Sequence, residues 1–161
     1  MPYTIRPATA ADEARWRELW IAYCAFYEWT PSEEILLHAW RRIMDPASPV
    51  YGVLAEDEHG HVDGLANYVL HENVTALTPV CYLQDLFVDP ARRAHGLGKQ
   101  MIDWLHAKMH TEQWSRLYWN TRENNYRARG LYDKYTEHSG FVRYVLSHPE
   151  LDRRRIAGDP A

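Results

Sequence analysis

The sequence has few cysteines and no long apolar run. Only Cys24 and Cys81 occur among its 161 residues, far apart and without a CxxC pair. Together with the lack of a secretory leader, this predicts a protein of the reducing cytoplasm and not a disulfide-stapled secreted one. No apolar run approaches the ~18 residues that a membrane span requires, so we expect no membrane partner.

The sequence also lacks an excess of positive charge. It has 18 Lys and Arg against 22 Asp and Glu, a formal net charge of −4. Nucleic acids are bound through strongly basic surfaces, so we expect no nucleic-acid partner. His106 and His110 have a spacing that zinc pairs use, but no HExxH motif and no third ligand accompany them. The sequence therefore predicts no metal site.

Apolar spacing and turn residues predict one mixed α/β domain, with a sheet flanked by helices. The expected order is β-α-α-β-β-β-α-β-α-β, with a last strand in "GFVRYVL". Thr9 and Thr30 are the expected caps of the first two helices, the second with Glu33 in a capping box. We expect a single domain over residues 1–148 and a flexible tail over residues 149–161.

A glycine turn in "DPARRAHGLGKQ" follows the strand-like run "YLQDLFV" and opens a helix-like one. A helix that begins there presents unpaired N–H groups and a partial positive charge. Gly96 and Gly98 remove side-chain bulk at this point, and Arg92 and Arg93 add charge. The turn thus suits a phosphate or pyrophosphate, although the glycines could instead only shape the backbone.

The run from Arg93 to Gly98 has the form R-x-x-G-x-G and directly follows a strand ending in "VDP". It resembles the acetyl-CoA signature of the GNAT superfamily of N-acetyltransferases, and the resemblance extends from "IRPAT" to "GFVRY". "YLQDLFVDP", "YWNTRENN" and "LYDKYTEHSGF" are similar to a group that acts on small amines and amino acids and includes polyamine-type and histone-directed relatives.

The resemblance implies that acetyl-CoA is the co-substrate. Main-chain groups of one strand would pair with its pantetheine arm, the glycine turn would hold its pyrophosphate, and two residues of a later helix would border it. The residues implied are Leu86, Phe87 and Val88 in the strand; Arg93, Ala94, His95, Gly96, Leu97, Gly98 and Lys99 in the turn; and Asn125 and Ala128 in the helix.

Tyr132 matches the tyrosine that the family places beside the thioester sulfur, where a phenol can protonate the leaving thiolate. Without the resemblance it would be read as a core ring. The polyamine-type relatives carry a glutamate where this chain has Gln84, which is not a practical base. We expect water to carry the amine's proton away, with His71 or Asp85 in support. Asp85 reaches that side of its strand only if a bulge re-aims it.

The acceptor pocket that the resemblance implies is aromatic, which suits an ammonium group. Its expected residues are Tyr27, Trp29, Gln84, Tyr118, Trp119 and Asn120. We expect a cytoplasmic homodimer that acetylates a primary amine of a small molecule, either polyamine-like or an amino acid. The alternatives are a protein or histone lysine acetyltransferase and a non-catalytic acyl-CoA-binding domain.

Overall fold

In the part of the chain that the structure describes, five strands form one sheet in which each strand lies beside its neighbour in sequence, in the order β1-β2-β3-β4-β5. The structure is a computed structural model that describes residues 3–93 and 95–153. The first four strands pair antiparallel, and β5 pairs parallel to β4. Their bounds are β1 (Thr4–Pro7), β2 (Val50–Glu56), β3 (Val62–His71), β4 (Val80–Val88) and β5 (Arg116–Trp119).

The described residues also form four α-helices: α1 (Glu13–Phe26), α2 (Glu33–Met44), α3 (Leu97–Thr111) and α4 (Tyr126–Tyr132). Short 3-10 turns precede α1 and follow β4. The chain divides after Trp119 into two compact units, and α4 lies in the second. The mixed α/β class predicted from the sequence is confirmed. Within the described ranges, none of the helices is long and apolar enough to cross a membrane.

The aromatic face of α1 is the centre of the core, as its helical spacing predicts. Trp16 and Trp20 stack with ring centroids 5.0 Å apart, and Trp40 of α2 lies 5.3 Å from Trp16. Leu19 and Tyr23 complete the buried face. Each Å² of apolar surface removed from water stabilises the fold by ~25 cal/mol. Because these rings are large and buried, they make α1 the helix that contributes most to packing on this face of the sheet.

A buried polar chain ties α1 to the sheet within this apolar layer. The Trp16 indole N–H donates to Asn67 Oδ1 at 3.1 Å, and the Asn67 amide donates to Asp85 Oδ2 at 2.9 Å. Trp20 donates its indole N–H to the same Asp85 oxygen at 3.1 Å. Asn67 and Asp85 are 6% and 3% exposed. Because buried polar groups are costly when unpaired, these bonds fix the position of α1 along β3 and β4.

A register shift lies in β4 beside this polar chain. Asn67 pairs with Asp85, but the next residue of β3, Tyr68, pairs with Leu83, so Gln84 is the extra residue of a bulge. The bulge lets Asp85 face α1 while Leu83 faces the opposite side, where Tyr68 packs on Trp114. Both side chains are therefore buried. The bulge on which the sequence interpretation of Asp85 depended is present, and it directs the carboxylate into the core.

Three local predictions differ from the structure. Ser32, not Thr30, caps α2, because its hydroxyl accepts from the Ile35 N–H. The helix expected after "YWNT" is shortened to the seven residues of α4. The predicted last strand is not formed, since "GFVRYVL" joins no ladder among the described residues. A strand exists only with a ladder partner, and alternation in sequence cannot supply one.

The Asp85 carboxylate should matter for stability through its two buried donors. Asp85→Ala leaves the Trp20 indole and the Asn67 amide without their acceptor and should lower the free energy of unfolding by about 2–4 kcal/mol. Asp85→Asn keeps an acceptor oxygen and should cost less than half as much. Urea denaturation followed by tryptophan fluorescence measures both. Equal losses in the two variants would contradict this role.

Candidate active site

An open strand edge forms where β4 and β5 stop pairing. The parallel ladder runs from Val80–Arg116 to Leu83–Trp119 and ends one residue before the bulge. Residues 85–88 of β4, beyond the bulge, keep their antiparallel partners on β3. Among the described residues they have no strand on the other side, and we call this stretch the open edge. An extended ligand can add there as a further strand.

The ladder with β3 determines which main-chain groups face the open edge. The Asp89 N–H donates to the Asp63 carbonyl of β3 at 2.8 Å. Main-chain N–H and C=O groups along a strand point alternately to its two sides, so every second residue before Asp89 also directs these groups toward β3. Phe87 belongs to that set. Leu86 and Val88 instead direct their N–H and C=O groups outward. Of the three residues expected to pair with the pantetheine arm, two thus have the required orientation.

The glycine turn forms the N-terminus of α3, next to the end of the open edge. Gly96 caps the helix in the left-handed region, with φ of 72°, and a Cβ there would meet no atom within 4 Å. The first helical bond runs from the Gln100 N–H to the Gly96 carbonyl. The N–H groups of Leu97 and Gly98 therefore lie ahead of the helical ladder, as an anion site requires. Ala94, also predicted in this turn, lies outside the described residues.

The positively charged side chains of the turn contact other groups of the same chain. The Arg93 Nε donates to the Val88 carbonyl at 3.2 Å, and its guanidinium lies 5.5 Å from the centre of the Phe87 ring. Lys99 pairs with Asp103 on α3 at 2.6 Å, and His95 is exposed. Arg93 thus covers an outward carbonyl of the open edge, so a ligand that pairs there must displace it.

An ion pair anchors the start of the turn to α1. Arg15 donates to the Val62 carbonyl at 2.9 Å and pairs with Asp89 at 2.8 Å. The Asp89 carboxylate also accepts from the Ala91 N–H at 3.0 Å. This N–H bond, followed by the Arg15 guanidinium, holds the pKa of Asp89 below its usual range. Asp89 is therefore ionised at neutral pH and keeps the turn in place.

The C-terminal end of α1 brings aromatic rings to the bulge. The Tyr23 hydroxyl donates to the Gln84 carbonyl at 3.5 Å, and its ring lies 5.1 Å from that of Tyr27 and 6.2 Å from that of Phe87. Trp29 packs edge-on against Trp20 at 6.2 Å. Of the predicted acceptor-site residues, Tyr27 and Trp29 thus pack against rings of α1, and Gln84 meets α1 through its main-chain carbonyl.

A second aromatic group lies on the same face of the sheet, farther from the open edge. Tyr82 and Tyr118 stack across β4 and β5 with centroids 5.1 Å apart, and the Tyr118 hydroxyl lies 2.9 Å from His71 Nε2. His71 Nδ1 contacts the Glu72 carbonyl, which can only accept, so in the neutral tautomer that fits this contact Nδ1 carries the proton and Nε2 accepts from Tyr118. Burial raises the pKa of Tyr118 above its usual value. No motif in the sequence singled out Tyr82.

The structure does not bring the two predicted supporting residues together. His71 pairs with Val80, four residues before Gln84 in β4. At ~3.3 Å per residue, it lies about 13 Å along the strand from the bulge. Asp85 lies at the bulge, but its carboxylate accepts bonds in the core from Trp20 and Asn67. β4 therefore places no exposed carboxylate beside Gln84 that could accept the amine's proton.

The remaining predicted residues belong to the end of β5 and to the second unit. Trp119 is the last residue of β5 and is half-buried, and Asn120 follows it and is exposed. Asn125 caps α4 by accepting from the Ala128 N–H at 3.4 Å, so these two predicted cofactor residues are joined through the cap. Tyr132 is the last residue of α4 and is half-buried.

Alternative chemistries find no support in the described part of the chain. Burial raises the pKa of the Cys81 thiol to about 12, so the thiolate needed of a nucleophile is scarce at neutral pH. No group of three metal-ligating side chains occurs among residues 3–93 and 95–153. An open strand edge beside a helix N-terminus instead agrees with the acetyl-CoA site that the resemblance to the GNAT superfamily implies.

Comparison with known proteins establishes the family. A sequence profile of the Acetyltransferase (GNAT) family matches residues 14–136, and the chain belongs to that family. It is 32% identical over 124 residues to the D-amino-acid N-acetyltransferase HPA3 of Saccharomyces cerevisiae, covering 76% of this chain and 77% of the relative. The protein is an N-acetyltransferase that uses acetyl-CoA as co-substrate.

Solved structures agree in fold. Ribosomal-protein-alanine N-acetyltransferase from Brucella melitensis biovar Abortus 2308 superposes with a TM-score of 0.77 at 19% identity, over 91% of this chain and all of the other. AAC(6')-Iy, in complex with the bisubstrate analog CoA-S-monomethyl-acetylneamine, gives a TM-score of 0.78 at 19% identity, over 92% and 99% of the two chains.

Bulk added at Gly98 should weaken acetyl-CoA binding. Gly98 lies in the first turn of α3, so Gly98→Val keeps a helical backbone but places a branched side chain where the N–H groups face the ligand. We expect the dissociation constant to rise at least tenfold in calorimetry. Ala107→Val, in the same helix at an exposed position, is the matched control and should bind normally. Equal affinities in the two variants would remove this turn from the site.

Proposed function

We propose that this enzyme transfers the acetyl group of acetyl-CoA to the primary amine of a small molecule, first of all an amino acid. The observation that carries this proposal is the kinship with a D-amino-acid N-acetyltransferase over 77% of that relative's length. The aromatic side of the bulge supports it, because Tyr27 and Trp29 supply flat, apolar surface next to the open edge. A polyamine-like amine is the second candidate, since aromatic faces also attract longer cations.

In the proposed binding mode, the pantetheine arm lies along the open edge. The outward main-chain groups of Leu86 and Val88 pair with its amides, and the N–H groups at Leu97 and Gly98 hold the pyrophosphate. Arg93 leaves the Val88 carbonyl when the arm arrives, and its charge becomes available to the phosphates. We assign His95, Gly96 and Lys99 to the same turn, and Asn125 and Ala128 to the far border of the cofactor.

The proposed chemistry is direct attack on the thioester. The neutral amine forms the C–N bond to the acetyl carbonyl, the C–S bond breaks, and Tyr132 donates its phenolic proton to the departing thiolate. Water accepts the proton that the amine loses, and the tyrosinate regains a proton from solvent. Gln84 at the bulge has an amide that can orient the amine but cannot deprotonate it. We keep Asp85 and His71 in supporting roles, Asp85 by holding the bulge and His71 by holding Tyr118.

Two other functions are compatible with the fold. A protein or histone lysine acetyltransferase would need an acceptor surface for a chain, and a non-catalytic acyl-CoA-binding domain would bind without transfer. The acceptor side here is built from bulky rings, which favours a compact substrate. We also propose that the enzyme is cytoplasmic and works as a homodimer.

Removing the Tyr132 hydroxyl should slow turnover without changing cofactor affinity. Tyr132→Phe loses only the proton donor, and general acid groups contribute ~10²–10⁴-fold, so kcat should fall at least tenfold. Tyr135→Phe, three residues along the same unit, is the control and should retain activity. Steady-state kinetics and calorimetry measure both effects. Wild-type turnover in Tyr132→Phe would return this residue to a packing role.

The acceptor is tested by an amine panel at equal concentration: D- and L-amino acids, polyamines and lysine-bearing peptides, each followed by thiol release. We expect amino acids to give the highest kcat/KM. Because only the neutral amine attacks and amino groups titrate at ~8–10, the rate should rise between pH 7 and pH 9. Peptide acetylation without activity on small amines would overturn the proposal, and thiol release with none of the amines would favour the binding domain.

A further inference from the structure

Four polar side chains lie together on the α1 face of the sheet, at the end of the β4–β5 ladder away from the bulge. We call His71 of β3, Tyr82 of β4, and Arg116 and Tyr118 of β5 the distal cluster. In the sheet register His71 and Arg116 pair with Val80 from its two sides, and Tyr82 pairs with Tyr118. Paired residues share a face of a sheet, and residues two apart along a strand share it too. The four side chains therefore project from one side of the sheet, next to one another.

Contacts within the distal cluster orient the two tyrosines and leave polar groups for a ligand. The Tyr82 and Tyr118 rings stack with centroids 5.1 Å apart, and the Tyr118 hydroxyl lies 2.9 Å from His71 Nε2. Arg116 acts on Tyr118 as well, since burial raises the pKa of this tyrosine and the Arg116 charge opposes the rise. Within the described ranges, the Arg116 guanidinium forms no ion pair and the Tyr82 hydroxyl forms no hydrogen bond. A cation and a hydroxyl are thus available to a ligand.

A guanidinium beside two hydroxyls suits a carboxylate. Arg116 can donate two parallel N–H bonds to the two carboxylate oxygens, and a tyrosine O–H can donate to either oxygen. The Tyr118 hydroxyl can turn from His71 to such a ligand, because His71 is exposed and water can replace the bond. Glu72, which follows β3, contacts His71 through its main-chain carbonyl and not through its carboxylate. The distal cluster therefore has donors for an anion and no acidic member.

The distance between the distal cluster and the bulge selects the length of the ligand. Tyr82 precedes Gln84 by two residues and Val80 precedes it by four, so the cluster extends from about 7 to about 13 Å along the strand at ~3.3 Å per residue. A chain of about six bonds of ~1.5 Å each spans roughly 7–8 Å. The nitrogen and the carboxyl carbon of an α-amino group are separated by only about two bonds, which is too short. The flat ring of Tyr82 lies on the way and can pack against methylene groups.

We propose that the distal cluster binds the carboxylate of the acceptor, so that the enzyme prefers amino acids whose reacting amine lies about five to seven bonds from the carboxylate. This inference rests on the proposed function, in which the amine lies beside Gln84, and it names the substrate class more closely. In the bound state Arg116 pairs with the carboxylate, the Tyr118 hydroxyl donates to it, and the methylene chain lies on the Tyr82 ring. Straight-chain ω-amino acids and the side-chain amines of lysine-like molecules have this shape.

A series of straight-chain amino acids measures the length preference. Glycine, 4-aminobutanoate, 6-aminohexanoate and 8-aminooctanoate are compared with alkylamines of equal chain length, which lack the carboxylate. We expect kcat/KM to be highest for 6-aminohexanoate and at least about tenfold above that of hexylamine, because charge-assisted bonds are strong. The difference should lie in KM, since the carboxylate binds away from the reacting atoms. A maximum at glycine, or equal values for 6-aminohexanoate and hexylamine, would overturn the proposal.

Substitutions of Arg116 test the charge of the distal cluster. Arg116→Gln removes the charge and should lower the ratio of kcat/KM for 6-aminohexanoate to that for hexylamine at least about tenfold. Arg116→Lys keeps the charge but loses the paired bonds, so its ratio should lie between the two. Arg42→Gln, at an exposed position of α2, changes the net charge equally and is the matched control. It should keep the wild-type ratio, and an unchanged ratio in Arg116→Gln would contradict the proposal.

Calorimetry with 6-acetamidohexanoate, in the presence of CoA, tests the distal cluster without acetyl transfer. We expect the wild type to bind this compound at least about tenfold more tightly than N-hexylacetamide, and Arg116→Gln to lose the difference. Equal affinities of the wild type for the two compounds would overturn the proposal. Preferential binding without transferase activity would contradict the proposed function alone. Acetyl transfer to amines with no preference for a carboxylate would contradict the role of the distal cluster alone.

Discussion

The register shift at Gln84 determines what lies on each side of the site. One extra residue in β4 lets Asp85 bond to Trp20 and Asn67 in the core while the strand continues past the end of the β4–β5 ladder. The main-chain groups beyond the shift are thereby left along an open edge. The same shift places the Gln84 carbonyl against the Tyr23 hydroxyl, next to the aromatic end of α1. The proposed cofactor edge and the proposed acceptor side therefore meet at one residue.

The protein holds this geometry with contacts between its own side chains and main chain. Arg15 and Asp89 tie the glycine turn to α1, and the buried chain from Trp16 to Asp85 ties α1 to the sheet. Arg93 contacts the last outward carbonyl of the open edge, which is the group a bound pantetheine arm would use. In the proposed mechanism the enzyme needs little catalytic apparatus beyond orientation and one proton donor, because the thioester already carries an activated acetyl group.

Local patterns in the sequence predict much of this fold. The bounds of β4, the start of α3 at the glycine turn and the aromatic face of α1 follow from alternation, glycine spacing and helical period. The bulge does not, because a single inserted residue leaves the apolar pattern of "YLQDLFV" unchanged. The core role of Asp85 and the tie between His71 and Tyr118 depend on contacts between distant strands and helices. The last strand could not be placed either, since alternation indicates a strand but does not name its partner.

The central claim is that the open edge of β4 pairs with the cofactor through alternate residues. Amide hydrogen exchange, followed by NMR with and without acetyl-CoA, tests it most directly. The N–H groups of Leu86 and Val88 should exchange at least tenfold more slowly when acetyl-CoA binds, because they gain a partner. The N–H of Phe87, already directed toward β3, should change little. Unchanged exchange at Leu86 and Val88 under saturating acetyl-CoA would contradict the account.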